Sequence, residues 1–94
     1  MARFYMTWEV DPTRMPVDAK ERALLLSGML EMVKQDGNIK DWGNIAGEGR
    51  GYMVVESSTA DLITTTQKYY PFVEFETHPV LTVDEVAEGL KPLM

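Results

Sequence analysis

The segment FVEFETHPV, residues 72–80, spaces Glu74, Glu76 and His78 two residues apart. On an extended chain that spacing projects all three side chains to one face. Two carboxylates and an imidazole form a ligand set that a divalent metal accepts. They are equally an acid–base set, since an imidazole exchanges protons near neutral pH and a carboxyl drawn into apolar surroundings holds its proton more tightly. Strand geometry decides against the metal: positions i and i+4 lie about 13 Å apart along the backbone, too far for one ion to bridge Glu74 and His78. His78, the only histidine, is a candidate general base, or else a strand-end residue that orients the turn at Pro79. Glu74 and Glu76 are candidate acids or bases, or else solvated or ion-paired strand residues.

A second candidate set is aromatic. Tyr5 and Thr7 on the first strand, Trp42 and Tyr52 on a hairpin, and Phe72 before the last strand have the composition of a small-molecule lining. Core or interface packing is the other use of such residues. The scattered methionines suit adaptable filling better than metal ligation. The chain contains no cysteine, which excludes disulfides, thiolate nucleophiles and Cys-ligated zinc or iron–sulfur groups. No cofactor and no metal are expected.

The stretch GEGRGYMVVE, residues 47–56, raises a third possibility, because Arg50, Gly51 and Tyr52 open like the RNP1 strand of an RNA-recognition motif. The pattern then fails: Val54 stands where a second aromatic belongs, Met53 where a small residue does, and Ser57 where a large apolar one does. A formal charge of −6 repels phosphates. The glycines lead into a strand and not into a helix whose N-terminus would hold a phosphate, so they are turn residues. No nucleic-acid partner is expected.

The elements that must position these residues follow from periodicity. RFYMTWEV, 3–10, reads as a strand stopped by Asp11-Pro12. From Pro16 to Asp36, Ala19, Ala23, Leu26, Leu30 and Val33 step by four and three, an amphipathic helix begun at Pro16 and closed by a left-handed Gly37. NIKDWGNI, 38–45, and GYMVVE, 51–56, form a hairpin through AGEGR. Ser58 and Asp61 cap a second helix running to about Tyr70, with Tyr69-Tyr70 as its end anchor before Pro71. FVEFETHPV is the fourth strand, and Thr82 with Glu85 caps a short final helix.

The order β-α-β-β-α-β plus a terminal helix is the ferredoxin-like α+β arrangement, an antiparallel four-stranded sheet in one domain over residues 1–94. Alternation puts Phe4, Met6, Trp8, Val73 and Phe75 against the helices. Tyr5, Thr7, Phe72, Glu74, Glu76 and His78 are left on the second face, whose mixed character suits a cavity wall. A chain of 94 residues leaves much surface unburied, so burial against a partner copy is expected from size alone.

YMVVESSTADL, followed after a helix by YYPFVEFETHPVLTVDEV, resembles the C-terminal half of a family of short bacterial and archaeal proteins of undetermined function. That family is assigned to the dimeric α+β barrel superfamily, in which two ferredoxin-like sheets pack face to face. The resemblance covers roughly residues 50 to 90, with weaker agreement over RFYMTWE. It implies a homodimer with a lumen between the sheets and carries no catalytic assignment; relatives in the superfamily include muconolactone isomerases, small oxygenases acting without a metal, and stress-responsive barrel proteins.

The expected function is that of a homodimer binding a small, largely apolar molecule between the sheets. A non-catalytic structural or interaction dimer is one alternative. A cofactor-independent isomerase or oxygenase using His78, Glu74 or Glu76 is the other. MARFYMTWEV lacks a charged segment followed by a long apolar run, and no stretch reaches the roughly 20 apolar residues of a membrane span, so a cytoplasmic location is expected.

Overall fold

The computed structural model describes all of residues 1–94. Its elements run β1 (Ala2–Val10), α1 (Ala19–Gln35), β2 (Ile39–Asn44), β3 (Arg50–Ser57), α2 (Thr59–Gln67), β4 (Val73–Val80) and α3 (Val83–Leu90), with 3-10 turns at Pro12–Arg14 and Lys91–Leu93. The four strands form one sheet in the order β2-β3-β1-β4, and every neighbouring pair is antiparallel. This is the ferredoxin-like arrangement that the order of periods implies.

Capping chemistry sets the helix ends. Asp18, extended, accepts from the Glu21 backbone N–H and starts α1 three residues later than Pro16 would. Gly37 does not close the helix, since the one glycine at positive φ is Gly47, at 82° in the β2–β3 turn. Asp36 ends α1 instead: its own N–H reaches the Met32 and Val33 carbonyls, and its carboxylate accepts from the Asn38 N–H at 2.9 Å. Ser58 accepts from the Asp61 N–H to begin α2. Thr82 and Glu85 exchange both hydrogen bonds of a capping box to begin α3. The second helix is shorter than periodicity suggests, ending at Gln67 and leaving Tyr69 and Tyr70 in a turn.

The core lies on the helix side of the sheet. Phe4 and Met6 from β1 face Val55 and Met53 from β3 in register, and these four form one buried cluster joined by Leu62 of α2. Trp8, Tyr69 and Val73 form a second cluster, touched by Met29, Met32 and Val33 of α1 and by Phe72 and Phe75. Close approach at one point requires a glycine: a Cβ on Gly51 would meet the Gly43 carbonyl oxygen and lie 2.7 Å from the Trp8 ring.

The helices cover this face unequally. No residue of α1 is fully buried, although its inner side chains are partly covered. Every residue of α3 is exposed, and its one substantial contact is with the 3-10 turn that follows it. The molecule measures 60 × 22 × 18 Å, far from spherical.

Candidate functional site

The open sheet face gathers six of the eight residues that sequence alone singles out. Tyr5, Thr7, Tyr52, Glu74, Glu76 and His78 all project from it, because β1, β3 and β4 alternate regularly there. Tyr5 pairs in register with His78 on one side and Val54 on the other, while Thr7 lies between Tyr52 and Glu76. The rings of Tyr5 and Tyr52 stack with centroids 6.3 Å apart. His78 Nε2 and Glu76 Oε1 are 3.1 Å apart, a contact along one strand. No three His, Asp or Glu side chains come close enough together to hold a metal ion.

Trp42 and Phe72 are elsewhere. Trp42 pairs with Met53 and therefore faces the helices, where its ring stacks on Trp8 at 5.2 Å and 9°. A register irregularity between Ile39 and Asp41 makes the difference: Lys40 is an extra residue, so Ile39 and Trp42 emerge on the same face despite their odd spacing. Phe72 precedes the fourth strand, donating its N–H to the Tyr69 carbonyl and accepting from the Asp11 N–H, and packs beside Trp8, Tyr69 and Val73. Neither residue can line a pocket together with Tyr5 and Tyr52.

The Lys40 irregularity also brings Asp41 to the open face, a residue that alternation does not flag. The Tyr52 hydroxyl donates to Asp41 Oδ2 at 2.9 Å. That bond, with some desolvation and the negative charge of Asp41, holds the Tyr52 phenol above its usual value. The face nonetheless lacks walls in the single chain, with the side chains of His78 and Glu76 exposed by 56% and 73%. Glu74 is exposed too.

The larger apolar concavity is on the other side. An open cleft of about 1010 Å³ separates α1 from the sheet. Trp8, Trp42, Val73 and Phe75 form its floor, Leu26, Met29, Leu30 and Val33 of α1 its roof, and Met15 and Pro16 one end. Its size and apolar lining are those of a small-molecule site. Arg22 also lines it, held by two hydrogen bonds from Nη1 to the Pro16 and Val17 carbonyls at 3.2 and 3.0 Å.

Tyr69 gives the cleft its one buried hydroxyl. The residue is 4% exposed, it lines the cleft, and its hydroxyl has no hydrogen-bond partner. Asp36 Oδ2 is similarly buried without a hydrogen bond, although Lys68 Nζ stands 3.7 Å away. Burial, and secondarily the Asp36 charge, pushes the Tyr69 phenol up, so it stays a neutral donor. Periodicity could not identify this role, because Tyr69 lies in a turn after α2, where no repeat reports which way a side chain points.

A family model described as a domain of unknown function, DUF3303, matches residues 2–94. A search of curated proteins finds no match.

Proposed function

The chain belongs to the DUF3303 family, and from that premise we propose that it binds a small, largely apolar molecule in the cleft between α1 and the sheet, and does so as a homodimer paired through its open sheet faces. The observation that carries the binding reading is the cleft: about 1010 Å³ of predominantly apolar lining, with a stacked Trp8–Trp42 pair as floor and the unpartnered Tyr69 hydroxyl beside it. A flat or rodlike ligand would lie along the indole pair. The half-buried α1 is the wall that can adjust to it.

Pairing of the open faces is supported by what they expose. Tyr5, Tyr52 and Val54 give that face an apolar centre, and Arg3, Glu9, Arg50, Glu56 and Glu74 give it a charged margin, the division seen in protein interfaces. The acid and base groups there, Glu76 and His78 in contact, would then face a lumen.

The test is uptake of N-phenyl-1-naphthylamine, an uncharged dye that brightens in apolar surroundings, with the bound ratio checked by native mass spectrometry. Saturable uptake is expected in the natural protein. Val33→Phe, which fills the cleft, should weaken it at least about tenfold, while Thr7→Phe on the open face leaves it unchanged. Uptake abolished by Thr7→Phe and indifferent to Val33→Phe would move the ligand to the space between sheets. No uptake at all would leave a structural dimer as the better account.

A further inference from the structure

We propose that α3 is a strap that clasps a second copy of this chain, each protomer giving its own helix and receiving its partner's. The inference extends the homodimer half of the reading above and is independent of the cleft.

The helix is built for burial, yet every one of its residues is exposed. Val83, Val86 and Leu90 fall at spacings of three and four, with Ala87 between them, so they form one apolar stripe; Asp84, Glu85 and Glu88 occupy the opposite side. Val83 is 85% exposed and Leu93, just beyond, 83%. A helix of eight residues is marginal by itself in water, where lengths below about 12–15 residues are not self-supporting. Its capping box holds the first turn, and within its own chain the stripe meets chiefly the 3-10 turn that follows, which leaves Val86 46% and Leu90 49% exposed.

The stripe also lies where its own sheet cannot reach it. A nine-residue strand such as β1 spans about 30 Å, half of the 60 Å long axis. The remainder of that axis accommodates an arm continuing from β4. The core clusters of its own protomer do not include α3.

Area and charge favour a second copy. Four strands of about eight residues present a face of roughly 500 Å², short of the ~800 Å² per partner that a stable pair buries. An eight-residue helix, about 12 Å long and 10 Å across, adds ~120 Å² for the arm given and the same for the arm received, which enlarges the paired face by about half and closes most of the gap. Asp84, Glu85 and Glu88 stay in water when the stripe faces inward, so two chains of charge −6 need not bury their acids against each other. The same acids argue against a membrane, whose anionic surface calls for Lys and Arg on the polar side of such a helix.

The experiment is sedimentation velocity over a wide concentration range, comparing the natural chain with V86E/L90E. Val86 and Leu90 lie outside both core clusters and are 46% and 49% exposed, so the sheet and its core should survive the substitutions; near-ultraviolet circular dichroism of the Trp8–Trp42 pair checks this. A natural dimer is expected, with V86E/L90E weakening dimerisation at least about tenfold. A natural monomer overturns the strap and the sheet pairing together. A dimer that V86E/L90E leaves untouched overturns the strap alone. Binding to phosphatidylcholine–phosphatidylglycerol vesicles that V86E/L90E abolishes, in a chain that is otherwise monomeric, would assign α3 to a lipid surface instead.

Discussion

The Tyr52 hydroxyl and Asp41 Oδ2 are joined at 2.9 Å across the β2–β3 hairpin, on the sheet face away from the helices. The phenol is the donor, so ionising it breaks the bond and sets two negative charges side by side. With its folded value raised, Tyr52 contributes stability in full below the ordinary value of about 10, and that contribution is lost as pH rises through the higher folded value. Phenolate absorbance followed against pH should therefore show Tyr52 titrating late, and Asp41→Asn should bring it earlier. Tyr69, delayed by burial and not by Asp41, should be unmoved by that substitution. Superimposable curves for the two proteins would sink the assignment.

Removing the Tyr69 hydroxyl should cost nothing. A buried polar group without a partner is held at a penalty of about 1–3 kcal/mol, and this one has none. Tyr69→Phe is expected to match the natural chain in stability or to gain about 1 kcal/mol, read as a urea midpoint that is unchanged or higher. A clear drop would reveal a partner, a water between Tyr69 and Asp36 being the obvious one.

Two glycines should respond to alanine with opposite signs. At Gly51 the new methyl would collide with the Gly43 carbonyl and sit 2.7 Å from the Trp8 ring, an overpacking worth about 1–3 kcal/mol of destabilisation that should also perturb the near-ultraviolet signal of the tryptophan pair. At Gly28, within α1, nothing lies within 4 Å of the added carbon. Gly28→Ala should stabilise by roughly 0.5–1 kcal/mol through helix propensity. Thermal melts of both variants decide it.

Local stability should follow burial. Amides of α1, which has no fully buried residue, should exchange with solvent well before those of β1 and β3, whose inward side chains Met6, Met53 and Val55 are wholly enclosed. Hydrogen exchange read by mass spectrometry separates the segments. Protection of α1 equal to that of the central strands would mean that the helix is held more firmly than its packing implies.

Much of the fold was legible because it depends on alternation. Phe4, Met6 and Trp8 take one face and Tyr5, Thr7 and Glu9 the other by period two alone, and the caps at Ser58 and Thr82 announce their helices. The site was less legible for three local reasons. Lys40 interrupts the period of β2 and carries Trp42 to the opposite face from Tyr52. Phe72 stands before the fourth strand, where alternation has not begun. Tyr69 sits in a turn, and the cleft beside it depends on how far α1 stands from the sheet, a distance that no pattern along the chain encodes.

The interruption at Lys40 has a counterpart at the far side of the sheet. β2 and β4 are its two outer strands; one carries the irregularity with a charged residue in it, and the other contains Pro79, which has no N–H to donate. Both are features that discourage an incoming strand from extending the hydrogen-bonded ladder. Growth by edge-to-edge addition, the route to fibrils, is thus disfavoured at each border.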